Sequence, residues 1–309
     1  MRNYLCYYVK NHFLEDRTST LNFILHSGGR GEKGFVSIIF YSRKKPVVVA
    51  KIDRGDGNNL KEEYQNLKIV HNILRKSAVK KTIETPLSIV NLGGWVLFKE
   101  YKHGMPGDVD LSKNKKNVKK FLHHSTDWLI EFLKGVEDYH INTTEEKRKA
   151  VGEMSEGDIP EYLECWIEKE TFFLAPSHSD LVASNFLIND SGITGVIDFE
   201  NFTLRGFPEA DLLGIVVSVS TTLFGLTETA IIKAFFEENY FSRAVCEVFK
   251  KYCNIFGIDP KDFIQIMPIY SDRAISIAKK WENEQLLNFH KKLRLRLVDD
   301  KNKLLLNKQ

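Results

Sequence analysis

Two carboxylates and an amide near the middle of the chain restrict what it can fold into more than any other feature. Asp180 and Asn185 lie in His178-Ser179-Asp180-Leu181-Val182-Ala183-Ser184-Asn185, and Asp198 follows in Ile197-Asp198-Phe199-Glu200. Between them Phe186-Leu187-Ile188 is a short apolar run, Asn189-Asp190-Ser191-Gly192 is turn chemistry, and Ile193 to Ile197 is a second β-rich run. The pattern predicts a hairpin that carries Asn185 and Asp198 at the same end of two paired strands, converging on one ion. The residue types suit phosphoryl transfer. A carboxylate at Asp180 accepts the proton of an acceptor hydroxyl, while the Asn185 amide oxygen and Asp198 offer Mg²⁺ the hard oxygen ligands it takes. A surface loop and an ordinary hairpin with incidental acids is the plainer reading, and the full spacing speaks against it.

A second set lies far upstream. Gly29, Gly31 and Gly34 stand in Gly29-Arg30-Gly31-Glu32-Lys33-Gly34-Phe35-Val36, a G-x-G-x-x-G-x-V loop of the kind that covers nucleotide phosphates. A strand from Ser37 to Tyr41, a Lys-Lys-Pro turn and the β-branched run Val47-Val48-Val49-Ala50-Lys51 follow. A lysine closing such a run is ordinarily a solvated strand end. Its order after the glycine loop makes Lys51 a phosphate contact. Leu60, Glu63, Leu67 and Val70 recur at helical spacing, so Glu63 shares an apolar face and needs a partner there. Lys51 is the expected partner, and the plainer alternative is that Glu62 and Glu63 are both surface acids. Glu62 points elsewhere.

With these residues in place the chain resembles the aminoglycoside phosphotransferase and choline kinase superfamily, the small-molecule branch of the protein-kinase-like fold. The resemblance runs from about Leu21 to about Gly225 and is most specific at His178, Asp180, Asn185, Asp198 and Asp211. It implies an α+β, two-lobed fold, with a small β-rich N-lobe over residues 1–101 and a larger helical C-lobe over 102–309. It also implies ATP or GTP as phosphate donor, Mg²⁺, and a small-molecule hydroxyl as acceptor. Asp211, in Gly206-Phe207-Pro208-Glu209-Ala210-Asp211-Leu212, matches the acid that anchors the catalytic loop, and His178 braces the same loop. Trp95-Val96-Leu97-Phe98-Lys99-Glu100-Tyr101 resembles the hinge, so the backbone near Phe98, Glu100 and Tyr101 is expected to hold the nucleobase.

The departures bear on the substrate. Ser179 stands where this family usually has glycine and protein kinases have arginine, so a phosphorylated activation loop has no obvious receptor. Glu200 replaces the glycine of D-F-G. Pro208-Glu209 follows Asp198 too closely to end a long activation loop. A small-molecule kinase is therefore expected over a protein kinase, and intact Lys51, Asp180, Asn185 and Asp198 argue against a catalytically silent scaffold.

The 309 residues, 43% hydrophobic and 28% charged, suffice for two lobes with a sizeable core, and a net charge of +3 is too small to imply nucleic acid. Cys6 and Cys165 are isolated, and Cys246 and Cys253 fall on a helical repeat as core thiols. With no long apolar stretch, neither signal peptide nor membrane span is expected, and the cytoplasm is the expected location. His103-Gly104-Met105-Pro106-Gly107 reads as a linker between lobes. One helix, around Glu63, is expected before it. After it, Phe121, Trp128, Leu129, Phe132, Val136 and Tyr139 make an amphipathic core stripe, and Asn142 to Ala150 reads as a loop. The acids Glu156, Asp158, Glu161, Glu164 and Glu168 form either a solvated helix face or a rim for a cationic acceptor. Tyr270, Asp272 and Trp281 are candidates for a pocket that takes an ammonium group. The basic tail from His290 to Lys308 reads as a final helix with a frayed end.

Overall fold

The computed structural model describes residues 2–14, 20–27, 36–53, 55–154, 161–280 and 282–308. The chain divides into two compact units, Met1–Gly104 with Thr194–Phe202, and Met105–Ile193 with Thr203–Gln309. A single cut near residue 101 misses the return of Thr194–Phe202 to the first unit.

In the first unit β1 (Leu21–Ser27), β2 (Val36–Ser42), β3 (Lys45–Ile52), β4 (Pro86–Asn91) and β5 (Trp95–Glu100) make one antiparallel sheet in the order β1-β2-β3-β5-β4. Successive side chains of a strand face opposite ways. Val48, Ala50 and Ile52 of β3 therefore bury on one face, with Ile38, Phe40, Val96 and Phe98, under Leu5 and Val9 of α1 (Arg2–Phe13). Lys51 turns to the other face with Leu97 and Lys99, where α2 (Asn58–Ile73) packs. α1 is a second helix where the sequence suggests one. Its buried stripe is narrow, and Tyr4 and Tyr7 beside it are exposed, so its amphipathic period is weak.

α2 buries Leu60, Glu63, Leu67 and Val70, the stripe read from the sequence. Its start depends on Gly57. That residue has φ 76°, and a Cβ on it would lie 2.1 Å from the Trp95 ring, so only glycine lets the helix begin against β5. The Asp56 carboxylate accepts the Asn58 N–H at 3.0 Å and steadies the first turn.

The second unit begins with β6 (Met105–Pro106), α3 (Gly107–Lys113), α4 (Val118–Gly135), α5 (Thr144–Met154) and α6 (Glu161–Glu168). After β7 (Ala175–Ser177), β8 (Phe186–Asn189), β9 (Gly192–Val196, whose residues from Thr194 on belong to the first unit) and β10 (Thr203–Gly206) come α7 (Pro208–Phe224), α8 (Glu228–Phe235), α9 (Tyr240–Phe256), α10 (Pro260–Ile266), α11 (Pro268–Lys280) and α12 (Glu284–Asp299). Phe121, Trp128, Leu129, Phe132 and Val136 are buried as the stripe requires, whereas Tyr139 is exposed. Residues 144–150, expected as loop, are helical. Thr143 and Glu146 explain it: Thr143 Oγ1 accepts the Glu146 N–H at 3.4 Å and donates to Glu146 Oε2 at 2.8 Å, capping the first turn of α5. Asp259 caps α10 through the Lys261 N–H at 2.8 Å, with Pro260 in the first position.

Two small sheets frame the central loop, β7 with β10 and β6-β8-β9. β8 and β9 are neighbours, and Asn189 Oδ1 accepts the Ser191 N–H at 2.9 Å in the turn between them. β10 reaches β7 because Gly206 has no side chain, since a Cβ there would lie 2.3 Å from Ser177 Cβ. No helix among the described residues is long and apolar enough to cross a membrane.

Candidate active site

Strand alternation aims Lys51 at α2, and helical spacing brings Glu63 to meet it. Lys51 Nζ donates to Glu63 Oε2 at 2.8 Å, to Asp198 Oδ1 at 2.7 Å and to Glu200 Oε2 at 3.1 Å. Lys99 lies two residues along from Leu97 on the same face of β5. Its Nζ donates to Glu63 Oε1 at 2.6 Å and to Glu84 Oε2 at 2.7 Å. Both oxygens of Glu63 are thus taken by ammonium groups from two different strands. Burial alone pushes the Glu63 carboxyl up, but Lys51 and Lys99 overcome it and hold it below the usual range. Burial likewise disfavours the charged form of each lysine, and the surrounding carboxylates outweigh it and raise both. Glu84 is raised by burial, which Lys99 only partly offsets. Asn66 Nδ2 donates to the Phe199 carbonyl at 3.0 Å and fixes the Asp198–Glu200 turn against α2.

Two ammonium groups here face four carboxylates, a formal excess of two negative charges. One divalent cation carries the opposite charge. Glu63, Asp198 and Glu200 bring ligand oxygens within 4.8 Å of one another. Glu63 is fully enclosed, whereas the Asp198 side chain is 36% exposed and that of Glu200 22%. Asp198 and Glu200 are therefore the hard-oxygen pair that fits Mg²⁺.

In the second unit the loop after β7 is tied to the first turn of α7. Asp211 Oδ2 accepts from Ser177 Oγ at 2.7 Å and from the His178 N–H at 3.0 Å, and Oδ1 from the Ser179 N–H at 2.9 Å. Ser179 has φ 72°, a conformation that favours glycine, and these bonds offset its strain. Burial raises the Asp211 carboxyl, opposed by Arg273 and His178. Beyond the bend, Asn185 Nδ2 donates to the Asp180 carbonyl at 2.8 Å and the Ala183 N–H donates to Ser218 Oγ at 2.9 Å. Asn185 is buried, with no hydrogen bond to its Oδ1 among the described residues, and Asp180 is half-buried.

The first unit thus gathers Lys51, Glu63 and Asp198, and the second His178, Asp180, Asn185 and Asp211. Gly29, Gly31 and Gly34 lie outside the described residues, as does Trp281. Of the three hinge residues, Phe98 is laddered between Ala50 and Ser88, and the Glu100 N–H donates to the Thr85 carbonyl at 2.9 Å. Tyr101, just past β5, has its backbone outside the ladder. A cavity of about 590 Å³ opens on the α1 side of the sheet, between Cys6, Phe23, Phe40 and Gly94, on the face away from Lys51. Sequence reasoning missed Lys99, Glu84 and the contact of Glu200 with Lys51. One signal was available: a lysine inside an apolar strand run needs a buried acid.

Residues 109–244 match the model of the phosphotransferase enzyme family. No curated protein matches the chain by sequence. Among solved structures, a thermostable mutant of aminoglycoside phosphotransferase APH(4)-Ia, in ternary complex with ADP and hygromycin B, shares the fold at 10% identity and TM-score 0.56, over 89% of this chain and 93% of that one. A second mutant of the same protein, in ternary complex with AMP-PNP and hygromycin B, gives 12% identity and TM-score 0.57 over 90% and 94%. The chain is phosphotransferase-like in pattern and in fold. The α+β, kinase-like architecture expected from the sequence holds for this phosphotransferase-like chain, with its β-sheet in the N-terminal part and its helices mostly in the C-terminal part.

Proposed function

We propose that the chain transfers the γ-phosphoryl group of a purine nucleoside triphosphate to a hydroxyl of a small molecule. The observation that carries this is the ammonium of Lys51, held within 3.1 Å of Glu63, Asp198 and Glu200. The first unit supplies phosphate handling: Lys51 neutralises the triphosphate, Glu63 and Lys99 fix its position, and the backbone from Tyr101 onward holds the base. The second unit supplies acceptor chemistry: Asp180 orients the hydroxyl and takes its proton as oxygen bonds to phosphorus and the bridging oxygen leaves with the nucleoside diphosphate. Asn185, Asp198 and Glu200 would hold Mg²⁺, which supplies charge neutralisation on the phosphates. His178 and Asp211 hold the loop that carries Asp180.

The segment from Asp198 to Asp211 is taken up by a 3₁₀ turn, β10 and the start of α7. That leaves no loop to read a protein substrate and supports a small acceptor. Free thiols at Cys6, Cys246 and Cys253 support a cytoplasmic setting.

The test uses nucleotide consumption across a panel of hydroxyl compounds with ATP and with GTP, together with calorimetry. Asp180→Asn removes basicity while keeping size. It should lower kcat on the order of a hundredfold with nucleotide affinity unchanged. Asp198→Ala should abolish turnover and the Mg²⁺ dependence of nucleotide binding. Nucleotide affinity indifferent to Mg²⁺ in both the parent and Asp198→Ala, or near-normal kcat in Asp180→Asn, would refute the reading.

A further inference from the structure

α11 packs against α7 beside the loop that carries Asp180. At Gly214 of α7 a Cβ would lie 3.0 Å from the Leu181 carbonyl and 3.5 Å from Tyr270 Cε2, so the Tyr270 ring and the residue that follows Asp180 both pack at this point of α7. The ring is braced from behind by His290, with centroids 5.6 Å apart and the planes crossed. Burial and the nearby Asp180 charge raise the Tyr270 hydroxyl, which keeps it a neutral donor.

Arg273 stands one turn further along the same face. Its charge acts on Asp211, on Asp180 and on Tyr270. Asp211 accepts three hydrogen bonds from the loop and none from Arg273 among the described residues. Arg273 is half-buried, and neither its guanidinium nor the Tyr270 hydroxyl has a hydrogen bond or ion pair among the described residues. A half-buried guanidinium whose N–H groups make no protein hydrogen bond can give them to a bound anion. Its neighbours are differently placed: Asp272 is paired with Arg294, and on α6 Glu164 is paired with Arg148. Two acids that might have received a cationic acceptor thus already have cationic partners, while Arg273, with five N–H donors, lies close enough for the Asp180 charge to act on it.

We propose that Arg273 and Tyr270 bind an oxyanion on the acceptor, so that the substrate is an alcohol that also carries a carboxylate or a phosphate. This rests on the phosphotransferase reading and specifies its acceptor. Arg273 offers the planar fork that such a group takes. The acceptor's anionic end is fixed on α11 while its hydroxyl is presented to Asp180.

The experiment is calorimetry on the full chain saturated with AMP-PNP and Mg²⁺, titrated with inorganic phosphate and separately with acetate. Whichever ion binds more tightly identifies the group. Arg273→Gln should weaken that binding on the order of tenfold to a hundredfold, and Arg273→Lys, which keeps the charge without the fork, by less. Turnover of anionic alcohols should fall in the same order, mainly through KM, with AMP-PNP affinity unchanged. If the nucleotide-saturated parent binds neither ion, or binds it equally well after Arg273→Gln, the proposal is overturned. Turnover of a polycationic aminoglycoside unaffected by Arg273→Gln overturns it too. Failure to bind AMP-PNP at all would instead sink the phosphotransferase reading.

Discussion

Replacing Glu209 with glutamine should make the protein more stable, and increasingly so as the pH rises. Glu209 lies in the first turn of α7, fully buried, and neither carboxyl oxygen has a hydrogen-bond partner of normal geometry among the described residues. Burial pushes its carboxyl from the ordinary 4.5 up to about 8; the Trp166 indole and the Lys147 ammonium ease that only in part, and Asp211 adds to it. The folded protein therefore holds Glu209 protonated at neutral pH, whereas the unfolded chain releases the proton. The folded pKa is the higher one, so the stability this group contributes is complete below about pH 4.5 and is lost as the pH climbs towards 8. Glutamine keeps the size and cannot ionise. The advantage of Glu209→Gln should be small near pH 4.5 and grow by about 1.36 kcal/mol per pH unit, or about 2.5 kcal/mol between pH 5.5 and pH 7.5. Urea unfolding of both proteins at these two pH values, followed by tryptophan fluorescence, measures it. A difference that stays flat with pH, or that shrinks as pH rises, would show that Glu209 is ionised in the fold.

Two further substitutions probe the first unit. Lys99→Met leaves Glu84 and one oxygen of Glu63 buried without their ammonium, and should cost about 3–5 kcal/mol in denaturant unfolding at pH 7. Adding Glu84→Leu should recover part of it, and a loss under about 1 kcal/mol for the single change would mean that the pair is solvated. Gly57→Ala drives a Cβ into Trp95 at a residue with φ 76°, and should cost about 2–4 kcal/mol and weaken nucleotide binding by loosening the start of α2; wild-type calorimetry and melting would refute it.

The parts of the fold and site that were legible are those whose partners follow from local periodicity. The stripe of α2 puts Glu63 inward because Leu60, Leu67 and Val70 share its face, and β3 alternates so that Lys51 and Ala50 part company. The turn after Asn189 and the cap at Asp259 are set by short-range chemistry and read equally well. Other features depend on residues distant in sequence. Lys99 in an apolar run looks like a strand residue near a hinge until Glu63 and Glu84 surround it. Arg273 is one charge among many on a helix until the fold lets it act on Asp211 and Asp180. The Asn142–Ala150 reading failed because polar composition outweighed a two-residue cap. α1 went unnoticed because exposed tyrosines blur its buried side.

Glu63 is gripped from β3 and β5 at once, and this bears on control of activity. Enzymes that are switched by swinging a helix need that helix to leave its lysine at modest cost. Here an outward swing of α2 would break two buried ion pairs, leaving Lys51 to Asp198 and Glu200 and Lys99 to Glu84. The helix has no inexpensive off position. A site built in this way keeps its lysine placed without any helix movement to prepare it.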